Sequence, residues 1–153
     1  MRHRCSTNPH GKAMKSTRFV VVTALVLVAG VANANANDVT IEVTNIAESK
    51  GSILIAAYSK AEGWLKQTPL VTAAPAKAGN VTLILPKLPD GDYAITAIHD
   101  LNGNNRLDMN AIGMPTEPYG FSNDAAGNFG PPTFDAAKVK VSASATRLVI
   151  KLN

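Results

Sequence analysis

Cysteine is almost missing from this chain of 153 residues; the one that exists is Cys5, close to the N-terminus. Such a chain has no disulfide framework, and without its first few dozen residues it has no thiolate nucleophile and no Cys metal site. Histidine is scarce, at His3, His10 and His99, and aromatic residues make up 5%. One histidine in the body of the chain supplies too few nitrogens for a zinc site. No apolar run is long enough for a comfortable transmembrane helix of about 20 residues; the longest is FVVVTALVLVAGV, 19–31.

That run has another use. Lys15 and Arg18 precede it, and ANANAND follows, with small residues placed for a cut after Ala34 or after Ala36. Basic, apolar and small-residue segments in this order form a secretory signal peptide. Residues 1–36 therefore read as an N-terminal extension plus a cleaved signal, starting at Met1 or Met14, and 37–153 as a single domain. No Cys follows the apolar run to carry a lipid. Of the 15 basic residues, Arg2, Arg4, Lys12, Lys15 and Arg18 lie in the leader, which holds none of the 11 acids. The remainder carries 10 − 11 = −1 rather than +4. With no basic stripe left, a nucleic-acid partner is not expected. Export without disulfides suits a periplasmic or secreted location.

Period-two alternation dominates 37–153. VTIEVTNI sets Val39, Ile41 and Val43 against Thr40, Glu42 and Thr44; VTLIL, KVKVSA and RLVIKL repeat the pattern. Such strands have one wet face. SILIAAYS and YAITAIH are apolar on both faces and belong in the middle of a sheet. Glu48-Ser49-Lys50-Gly51 and Pro89-Asp90-Gly91-Asp92 read as short hairpin links. The expectation is an all-β, antiparallel β-sandwich of about seven strands. Residues 60–79 read as a loop, with GWLKQT as one helical turn. Residues 100–137 read as one long ordered loop, since a loop this long in a small domain has a function or hides an edge strand.

The stretch HDLNGNNRLDMN, 99–110, is the main candidate site. Asp100, Asn102, Asn104 and Asp108 occupy positions 1, 3, 5 and 9 of an EF-hand-like loop, with the Arg106 carbonyl at position 7. Alternate oxygen-bearing side chains in a wrapped loop can surround Ca²⁺. Position 6, usually Gly, is Asn105, which tolerates a left-handed backbone; position 12, usually Glu, is Ala111, leaving Glu117 or water to close the shell. The same residues also suit a polar turn in which Asx side chains cap backbone amides. Both readings stand.

Trp64, Tyr119, Phe121, Phe129 and Phe134 admit two roles: a platform for a sugar or peptide, or a private core that pins the loop to the sheet. No catalytic residue is assigned. A hydrolase would need His99 with Asp100 or Asp108 and a serine such as Ser122, but GFSND is not a nucleophile elbow. The reading preferred for His99 is a strand-end histidine bonded to a loop carbonyl, over a proton carrier or ligand.

The motifs HD-x-N-G-N, LD-x-N, G-x-P-x-E-x-YGFSN and FGPP-x-F, with AAYSKAEGW upstream, make the chain resemble the DUF2141 family of small exported bacterial proteins. Where the family commonly reads N-G-N-G, this chain has Asn102-Gly103-Asn104-Asn105. The resemblance implies an immunoglobulin- or transthyretin-like sandwich and brings no activity with it. The function expected is a non-enzymatic binding or envelope-accessory module. Its partner would be an envelope protein, glycan or peptide.

Overall fold

A computed structural model describes residues 36–66, 69–142 and 146–153. The expected leader lies outside the described residues, apart from Ala36. The strands are β1 (Ala36–Ile46), β2 (Ser52–Tyr58), β3 (Leu70–Pro75), β4 (Gly79–Pro89), β5 (Gly91–Asp100), β6 (Tyr119–Phe121), β7 (Lys138–Val141) and β8 (Thr146–Lys151), with one α-helical turn, α1 (Phe134–Ala137), and 3-10 turns at Ala61–Gly63 and Ser122–Asp124 among the described residues. One sheet has the order β4-β1-β8; the other runs β3-β2-β5-β6, with β7 also pairing β5. Among the described residues no helix is long and apolar enough to cross a membrane.

The alternation in the sequence is what stacks the sheets. Val39, Ile41 and Val43 of β1 have no exposed surface, and Leu83, Leu85 and Ile150 join them from its neighbours. Ile53, Ile55 and Ala57 of β2, with Tyr93, Ile95 and Ala97 of β5, supply the opposite wall of one continuous core. Inward side chains of both sheets thus fill the space between them, as a sandwich requires.

Strand β5 is apolar on its other face as well, for a reason the loops supply. Ala94 packs there with Phe121 and Ala137, under Trp64, Tyr119, Ala125 and Phe134. The chain after β6 lies over that outer face as a satellite core. Ser122, fully enclosed, ties it down: its hydroxyl accepts from Ile95 N–H at 3.0 Å and contacts the Ala137 carbonyl.

Several expectations need correction. Among the described residues the strands number eight, because β3 occupies part of the expected 60–79 loop and β6 part of the 100–137 insertion. Neither is legible as alternation: LVTAAP lies on a sheet edge and YGF is three residues long. The helical turn falls at Ala61–Gly63, sharing only Gly63 with GWLKQT, whose last two residues lie outside the described residues. Pairing is antiparallel except between β1 and β8, which run parallel. The links at 47–51 and around Asp90 are not hairpins, since each joins a strand of one sheet to a strand of the other.

Candidate functional site

Strand β5 ends at His99 and Asp100, which turn to opposite sides. His99 is on the inner side, with no exposed surface, and its Nε2 lies 2.7 Å from the Lys50 carbonyl. A carbonyl only accepts, so Nε2 carries a hydrogen, and Nδ1 has no partner among the described residues. Gly51 allows the turn to press this close: its φ is +70°, and a Cβ there would meet the Asp100 carbonyl at 2.0 Å. His99 is therefore the carbonyl-bonded strand-end residue and cannot reach a substrate in this state.

Asp100 organises the loop that follows. Its Oδ1 accepts from Gly103 N–H at 2.8 Å and Asn104 N–H at 3.2 Å, and its Oδ2 from Asn105 N–H at 2.8 Å. Asn105 takes the left-handed conformation, φ 61°, which lets consecutive N–H groups aim inward. Burial alone would raise the Asp100 pKa, but the backbone N–H bonds outweigh it and hold the carboxyl below the ordinary aspartate range. Asn102 Oδ1 accepts from Asn104 N–H and Asn104 Oδ1 from Arg106 N–H, both at 3.0 Å. Their amide nitrogens donate to Asp108, at 2.5 Å and 2.8 Å. Arg106 adds an exposed contact to the same carboxylate at 3.6 Å.

Glu117 closes the loop from its far end. Its carboxylate, 7% exposed, accepts from Leu101 N–H at 2.8 Å and Asp108 N–H at 3.1 Å. Between them a small hairpin projects, with Thr116 N–H on the Asp108 carbonyl and Asn110 N–H on the Met114 carbonyl. Asn110 Oδ1 accepts from Ile112 and Met114 N–H. At this braced tip Met109, Ile112 and Met114 are 59%, 83% and 58% exposed.

Asp100, Asn102, Asn104 and Asp108 are thus brought into one cluster. The aromatics divide. Trp64, Tyr119, Phe121 and Phe134 pack edge to face or tilted on one another at 5.6–6.2 Å, and Trp64 Nε1 donates to the Pro132 carbonyl at 2.8 Å. The rings pack against one another, which is the pinning arrangement. Phe129 stands apart, fully exposed, at φ 56°. A cleft of about 350 Å³ near the start of β5, lined by Tyr58, Lys60, Leu70, Pro89 and Tyr93 among others, includes none of the candidate residues.

Residues 41–149 match the model of a bacterial family described as an uncharacterised protein conserved in bacteria, DUF2141. The chain belongs to the DUF2141 family. No curated protein and no solved structure matches it. In this DUF2141 chain the motif residues of 99–134 divide between the Asp100–Glu117 loop and the satellite core. Sequence reading missed Asn110, the tip's organiser, although the Asn-x-x-Gly turn signal at 110–113 was available. Gly120 and Gly130 both read from the sequence as points of tight backbone approach; at Gly120 a Cβ would lie 2.2 Å from the Lys151 carbonyl, whereas at Gly130 it would meet nothing within 4 Å.

Proposed function

We propose that this DUF2141 protein is exported and works as a non-enzymatic binding module of the bacterial envelope, with the 101–118 loop as its contact element. The observation that carries this reading is a loop internally braced by Asp100 and Glu117 that shows an uncharged apolar tip, Met109, Ile112 and Met114, to solvent. An apolar group held rigidly outward loses little entropy when it docks. The enclosure of His99 and Ser122 supports a role without chemistry. Export rests on the leader: fractionation followed by N-terminal sequencing is expected to find a periplasmic form starting at Asn35 or Asn37. A cytosolic form that keeps Met14 would refute it. A photoreactive residue at position 112 is expected to crosslink one envelope partner in cells; no crosslink there removes the tip from the function.

A second reading adds a cation. Asp100, Asn102, Asn104, Asp108 and the Arg106 carbonyl form a candidate Ca²⁺ cradle, favoured by the curl that gathers the four side chains. Their fit is partial. Among the described residues no three His, Cys, Asp or Glu side chains stand together for a metal, so amide and carbonyl oxygens would have to do much of the holding. The amides now turn nitrogen, not oxygen, toward Asp108. A ligand that binds only the folded state raises its melting midpoint by mass action. Calcium is expected to raise the midpoint over chelator, and an unchanged midpoint at millimolar calcium refutes the cradle.

A further inference from the structure

The edges of the two sheets are not equally protected. An edge strand offers unpaired N–H and C=O groups, which proteins guard with charge, proline, bulges or cover. Strand β4 has Pro86 and Lys87, the latter at φ 60°. Strand β8 has Arg147 and Lys151 and is abutted by β6, whose Tyr119 carbonyl accepts from Asn153 N–H at 3.0 Å. Strand β6 is three residues long, and β7 carries Lys138 and Lys140. Strand β3 differs. Among the described residues it pairs with β2 alone; it has no charged residue, carries proline at its last position only, and exposes Val71 by 53%.

Its register shows which groups are free. Ala76 N–H donates to the Gly51 carbonyl at 3.1 Å, and Ser52 lies opposite Pro75. Facing alternates along an antiparallel ladder, so Leu70, Thr72 and Ala74 turn their backbone to β2. Val71 and Ala73 turn theirs outward. Pro75 faces outward too, so its missing N–H leaves the β2 ladder intact.

We propose that β3 is a self-association edge, pairing antiparallel with β3 of a second copy about a dyad at Thr72. Val71 of one copy then exchanges backbone hydrogen bonds with Ala73 of the other, and the reverse, which uses every outward N–H of β3. A second copy is the occupant that fits because the edge is uncharged: turned on itself it brings no like charges together, and each exposed Val71 covers an Ala73. The two five-stranded sheets become one.

The test is sedimentation of the protein without its leader across a wide concentration range, with hydrogen exchange read at Val71 and Ala73. A concentration-dependent dimer is expected, in which both amides gain protection as the concentration rises. Val71→Lys sets an edge charge on an outer-face side chain, and Ala73→Pro removes an outward N–H that β2 does not use. Both are expected to be monomeric, with melts that match the wild type's at dilutions where it too is monomeric and lack its rise in midpoint with concentration, whereas Val149→Lys, on the other sheet, stays dimeric. A wild-type monomer at every concentration overturns the proposal. So does a dimer that survives both β3 substitutions.

Discussion

Replacing Asp100 with Asn is the sharpest probe of how the loop is held. The carboxylate accepts three backbone N–H bonds through two oxygens. An amide keeps one acceptor oxygen; its nitrogen would face either Asn105 N–H or the Gly103 and Asn104 pair, donor against donor. Bonds to a charged acceptor contribute about 1.5–3 kcal/mol each, but they are not additive, and water can reach N–H groups at this exposed turn. The net loss expected is about 2–3 kcal/mol, or roughly 6–15 °C in a domain of this size. The pH dependence gives a second readout. The folded pKa lies below the ordinary value of 3.8, so the folded state binds this proton less readily than the unfolded chain. The stabilisation is complete above the unfolded pKa and is lost as pH falls through the folded one. Thermal and urea melts of wild type and Asp100→Asn should therefore differ at neutral pH and converge in acid. Equal midpoints at pH 7, or a gap that widens in acid, would refute the reasoning.

Ser122→Ala should cost about 1–3 kcal/mol by urea denaturation, since it strands the buried Ile95 N–H; a neutral result would mean the hydroxyl is not the tie between β5 and the loop. Gly120→Ala forces a Cβ toward the Lys151 backbone and should cost about 1–3 kcal/mol as an overpacked site, seen as a lowered thermal midpoint. Asn102→Asp puts a carboxylate where an amide now donates to Asp108 at 2.5 Å, so it should destabilise the loop in chelator. If the cradle holds calcium, added calcium should restore the midpoint above that of the wild type in chelator; no recovery leaves only a polar turn.

The sandwich was legible because burial on one face writes itself into a strand as alternation. Val39, Ile41 and Val43, or Leu83 and Leu85, can be assigned to the core without coordinates. Strand β5 was legible as central for a reason only half visible: its outer face is covered by aromatics distant in sequence on both sides, Trp64 upstream and Tyr119, Phe121 and Phe134 downstream. Strand β3 was not legible, since an edge strand exposes side chains on both faces and Leu70-Val71-Thr72-Ala73-Ala74 shows no period. Sheet assignment was hidden too. A tight turn such as Pro89-Asp90-Gly91 looks the same whether the chain doubles back or crosses to the other sheet, and long-range pairing decides.

The loop at 100–117 shows a different limit. A chain that wraps around one point turns its N–H groups inward, so oxygen-bearing side chains at alternate positions are needed whether or not an ion sits at the centre. Asp100 meets that need by itself, taking the amides of Gly103, Asn104 and Asn105, and Glu117 takes those of Leu101 and Asp108. Spacing reports the wrapping and is silent on the ion. What separates the two states is which end of the Asn102 and Asn104 amides faces Asp108. That choice weighs two amide-to-carboxylate bonds against coordination of a cation. Only the second depends on calcium concentration, which is why a titration rather than a motif decides it.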